Sequence, residues 1–76
     1  MRTEEFKMER QGLLKVGDEV TITERSTEAF YYYIIMPALA MSGNYSLGQR
    51  IKSTKGIVRD IRQDARGYFV YAEFEN

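Results

Sequence analysis

Asp18, Glu19, Glu24 and Glu28 lie close together in the sequence. Two neighbouring carboxylates, one protonated and one ionised, are the minimum for general acid–base work. The spacing works against that use, because in an extended segment Glu19 and Glu24 project from opposite faces. No neighbour in the sequence would shift either pKa, so solvated surface acids are the expected role. Ser26, Ser42, Ser46 and Ser53 are possible nucleophiles, but the chain has no histidine to activate them, which leaves only a lysine base. It has no cysteine either, so thiolate and imidazole metal ligands are both missing. Gly43 to Gly48 matches the spacing of a phosphate-binding loop. Gln49 and Arg50 then stand where such a loop needs Lys and Ser or Thr. The expectation is a protein with no catalytic residue, no metal site and no cofactor.

Binding chemistry is better represented. Residues 50–66 hold six basic side chains against Asp60 and Asp64, although the whole chain is formally neutral. Lys52, Lys55, Arg59, Arg62 and Arg66, with Tyr45, Phe69 and Tyr71 as stacking platforms, form the pattern used on single-stranded nucleic acid. Alternating aspartates also suit ion pairs on a solvated face, and the small excess makes nucleic acid the second choice. The aromatic stretch Phe30–Met36 carries the first choice. Tyrosine joins a large apolar body to a polar tip and is enriched where proteins meet. Tyr31, Tyr33, Ile35 and Met36, with Tyr45 and Leu47 from the following loop, are the expected contact surface for another protein chain, self or foreign. Left unpaired, that strand would also be a template for strand addition. The competing expectation is a central strand covered by the core on one face and by the Leu39–Leu47 loop on the other.

These groups have to be positioned by strands. Lys55 to Phe74 reads as a hairpin of β-branched and aromatic residues around Asp64-Ala65-Arg66-Gly67, a favoured turn. Tyr68, Val70, Ala72 and Phe74 share one face of its second strand. In its first strand Ile57 and Ile61 fall opposite Val58, which a bulge near Arg59 would reconcile. Val16-Gly17-Asp18 launches another strand, with Val20 and Ile22 facing in. Five strands follow, at about 19–24, 29–36, 49–52, 56–63 and 68–75, with a helical turn at residues 38–41. Pro37 should end the aromatic strand. Residues 1–12 are polar apart from Phe6 and Met8 and read as a flexible tail before one domain at 13–76.

The Val-Gly-Asp-x-Val strand, the Lys-Gly-Ile-Val strand, the polar turn and the final aromatic strand resemble a small SH3-like barrel of the Tudor or KOW type. The resemblance spans roughly residues 13–24 and 50–75 and implies an all-β barrel of about five antiparallel strands with one long loop. The connection between those segments is longer and more aromatic than in compact barrels of that type. A KOW signature needs more than one Gly-Ile-Val, so no KOW function follows. Phe30–Met41 is too short to span a bilayer, and MRTEEFKMER has no apolar segment. A soluble cytoplasmic protein is the expectation, with no membrane partner.

Overall fold

The β5–β6 hairpin forms as expected and anchors the molecule. In the computed structural model, which describes residues 1–37 and 39–76, β5 spans Lys55–Asp64 and β6 spans Gly67–Phe74. Their register shifts between Val58 and Asp60. That bulge lets both Val58 and Ile61 pack into the core beside Val70, Ala72 and Phe74. Gly56 is a requirement of this packing. A Cβ there would lie 2.5 Å from the Phe74 ring and 2.8 Å from the Glu73 carbonyl oxygen.

Among the described residues, four more strands complete the sheet: β1 (Arg2–Met8), β2 (Glu19–Ser26), β3 (Tyr31–Ile35) and β4 (Ala40–Ser42). Their hydrogen-bonded order is β1-β4-β3-β2-β5-β6, closed by antiparallel pairing of β6 with β1. Consecutive strands β2, β3 and β4, with β1 laid beside β4, make a Greek key. Gly17, at φ +94°, turns the chain into β2. Its N–H donates to the Val58 carbonyl at 2.8 Å, and the Val58 N–H donates to the Asp18 carbonyl at 2.9 Å. Val20 and Ile22 face inward as expected. No helix of the described residues is long and apolar enough to cross a membrane.

Three local expectations are corrected. Residues 1–12 are not a frayed tail, since Arg2–Met8 is the strand that closes the barrel and buries Phe6 and Met8. Its partners, β4 and β6, come from distant parts of the chain, so no local pattern announced it. Residues 49–52 are not a strand. Leu47–Gln49 is a 3-10 turn, and the segment after it runs irregularly to β5. The helical turn expected at 38–41 gives way to β4, in which Ala40 pairs with Ile35 and Met8; Ala38 lies outside the described residues. β3 stops at Ile35, two residues before Pro37.

Candidate interaction surface

β3 has apolar side chains at every position, so the sheet decides which half turns inward. Tyr33 and Ile35 do, at 1% and 0% exposure. Both were expected in the contact surface, and neither reaches the surface of this barrel. The reason is parity: packing of Ile35 against the core commits Tyr33 to the same side. Nor is β3 an unpaired edge, because β2 and β4 flank it. The outward face holds Tyr32 and Ile34, and exposed Met36 follows the strand. Ile34 pairs with Thr23 on β2 and with Met41 on β4, and Tyr32 pairs with Arg25. Met41 is 52% exposed and Met36 is 41% exposed. A contiguous apolar stripe of Tyr32, Ile34, Met36 and Met41 therefore lies on the outside of β3–β4. Met36 is the sole member of it among the expected residues. No sequence signal separated the two parities.

The other expected residues belong to the end of the barrel. Tyr31 and Tyr45 pair backbone to backbone, at 2.9 and 2.7 Å. The Tyr45 ring meets Tyr33 edge-on at 5.6 Å, and its hydroxyl donates to Glu4 at 2.7 Å. Burial, then the Glu4 carboxylate, pushes the Tyr45 pKa far up. The Tyr33 hydroxyl donates to Glu24 at 2.7 Å and accepts the Ile51 N–H at 2.8 Å. Arg50 adds two hydrogen bonds to Glu24, at 2.6 and 2.9 Å, and lies 4.6 Å over the Tyr31 ring. Arg50 first, and Tyr33 second, hold the Glu24 carboxyl below its ordinary pKa. Arg2 donates to the carbonyls of Gln49 and Arg50 at 2.8 and 2.9 Å. The long connection is thus fastened across the end of the barrel, with Leu47 left 68% exposed. Tyr31, Tyr33 and Tyr45 meet, but as part of that plug.

The basic residues are gathered only in part. Arg59 and Arg62 stand on the outer face of β5, Arg66 lies in the turn, and Lys52 lies in the segment before β5. Arg59 pairs with Glu73 across the strands at 3.2 Å. Arg62 pairs with Asp60 at 2.8 Å, and Arg66 with Asp64 at 3.1 Å. Two of the expected stacking platforms are covered by the same guanidinium groups, Tyr71 by Arg62 at 5.1 Å and Phe69 by Arg66 at 4.6 Å. Lys52 and Lys55 make no ion pair among the described residues. Gly43–Gly48 runs into the 3-10 turn, and no α-helix follows it. No family model, no curated protein and no solved structure matches this chain.

Proposed function

We propose that the chain is a small SH3-like barrel of the Tudor or KOW type, working without catalysis as a soluble protein-interaction module inside the cell. Its contact surface is the outside of β3–β4. The observation that carries this reading is the stripe of Tyr32, Ile34, Met36 and Met41, in a barrel small enough to need every apolar group it can bury. The Val16-Gly17-Asp18 turn and the bulged final hairpin support the SH3-like part of it. β1, inserted between β4 and β6, is the departure from that pattern. The nucleic-acid alternative has less support, because Arg59, Arg62 and Arg66 are each engaged by a carboxylate.

A photo-crosslinking amino acid placed at position 34 in living cells tests the reading. A discrete adduct is expected from position 34 and not from position 73 on β6, which lies three strands away either way round the barrel. Equal labelling at both positions, or none at either, would refute it.

A further inference from the structure

We infer that the edge of β5 beyond its bulge takes up an extended segment of another protein, which pairs there as an added strand and sets apolar side chains into the groove beside Tyr68. The inference is independent of the reading of β3–β4. β5 outruns its neighbour on one side, since β2 pairs with it only over Lys55–Ile57 whereas β6 follows it to Asp64. The last backbone contacts on the β2 side are those of Val58. Its N–H donates to the Asp18 carbonyl at 2.9 Å, and its carbonyl accepts the Gly17 N–H at 2.8 Å. The extra residue of the bulge then reverses the alternation. Backbone groups of Asp60, Arg62 and Asp64 turn to β6, and those of Ile61 and Gln63 turn away from it. The Asp60 carboxylate accepts the Ile61 N–H at 2.9 Å. The Ile61 carbonyl and the Gln63 N–H and carbonyl are left without a partner among the described residues. Such a row, at strand spacing, is matched by another extended backbone.

The surroundings of the edge fix what that backbone carries. Ile61 lies cross-strand to Val70, and Gln63 to Tyr68, on the inward face of the hairpin. Beside them opens a groove of about 350 Å³, whose lining includes Met8, Gly12, Leu14, Ile61 and Tyr68, a size within the range of ligand clefts. In an antiparallel guest, the residues opposite Ile61 and Gln63 point to the same face as those two. That is the face of Leu14 and Tyr68, so both guest residues are apolar. The guest residue between them lies opposite exposed Arg62 and is not basic, because like charges directly opposed repel. The same rule selects a foreign segment over a second copy of this chain. The self-pairing that would use the open groups of both residues sets Ile61 against Gln63 of the copy, and therefore Arg62 against Arg62. The guest is a separate extended segment, apolar at alternate positions.

Two synthetic peptides serve as probes, acetyl-Thr-Leu-Thr-Leu-Thr-amide and its counterpart with phenylalanine in place of leucine. Each is titrated to millimolar concentration against the full chain, with backbone amide NMR as the readout. Saturable shifts are expected at Ile61, Gln63 and Tyr68, with the Gln63 amide moving downfield and exchanging more slowly. Methylating the backbone nitrogens of both apolar residues of the peptide removes the donors to the Ile61 and Gln63 carbonyls, and should weaken binding at least about tenfold. Gln63→Pro deletes the outward N–H and no ladder bond to β6, so it should stay folded by circular dichroism and lose binding to the same degree. No shift with either peptide, or shifts that backbone methylation leaves unchanged, would overturn the inference. A Gln63→Pro chain that fails to fold would show that the N–H is used within the barrel, and would overturn it too. Broadening at Gln63 that grows with protein concentration in the absence of peptide would assign the edge to a second copy instead.

Discussion

Replacing Tyr33 by Phe removes one oxygen from the junction that ties β3 to Glu24 and to the Ile51 backbone. The hydroxyl accepts the Ile51 N–H at 2.8 Å and donates to Glu24 at 2.7 Å, while the ring is 1% exposed. The phenylalanine ring would keep its edge-on contact with Tyr45, so apolar burial is almost unchanged. Glu24 retains Arg50, at 2.6 and 2.9 Å. The Ile51 N–H, however, would have no acceptor beside a side chain that is itself 5% exposed. A buried donor left without a partner costs about 1–3 kcal/mol. The whole barrel, at roughly 0.1 kcal/mol per residue, is stable by about 8 kcal/mol. A loss of about 2 kcal/mol is a quarter of that and lowers Tm by about 10 °C in a domain of this size. Urea unfolding gives the free energy, and amide exchange at Ile51 locates it. The exchange rate of that amide should rise more than those of β5–β6. A loss under about 0.5 kcal/mol, with Ile51 still protected, would show that the N–H has another acceptor and refute the reasoning.

Gly56→Ala should destabilise by about 1–3 kcal/mol, because the new methyl overlaps both the Phe74 ring and the Glu73 carbonyl; adding Phe74→Leu should recover part of the loss in the same urea titration. Stability should fall as pH drops through and below the ordinary carboxylate range. Glu24, held down by Arg50, and Asp64, held down by Arg66, take up protons at lower pH when folded than when unfolded. Arg50→Gln should flatten that slope, and an unchanged slope would remove Glu24 from the account. Labelled oligothymidylate should not be retained at low salt. Affinity falling with a log–log salt slope near 0.7 for each phosphate neutralised would return the basic face to consideration.

Parts of the fold were legible because a single local interaction determines them. The β5–β6 hairpin follows from its turn residues, and its bulge from the mismatch in phase between Val58 and Ile61. Gly17 and the inward pair Val20 and Ile22 needed no more than a turn and an alternation. β1 was not legible, because five of its seven residues are Arg, Thr, Glu, Glu and Lys, and its two buried side chains find their neighbours on β4 and β6. The placement of Tyr33 and Ile35 went astray for a different reason. With Tyr31, Tyr32, Tyr33, Ile34 and Ile35 in succession, period-two reading has no phase, and an error of one residue exchanges the inside for the outside. Tyr33 and Ile35 were assigned to the wrong side in that way.

The seam between β1 and β6 joins Arg2 to Phe74, almost the full length of the polypeptide. Bringing such distant segments together costs about 4 kcal/mol of chain entropy before any pairing offsets it, and topologies dominated by remote contacts fold slowly. During synthesis β1 emerges before all the other strands of the barrel, and its longest register is with β6, which emerges after them. Until Gly67–Phe74 leaves the ribosome, Phe6 and Met8 lack half of their enclosure and two rows of backbone donors and acceptors stand open. A nascent chain is therefore exposed to mispairing until β6 has emerged, and it can close into a barrel only then.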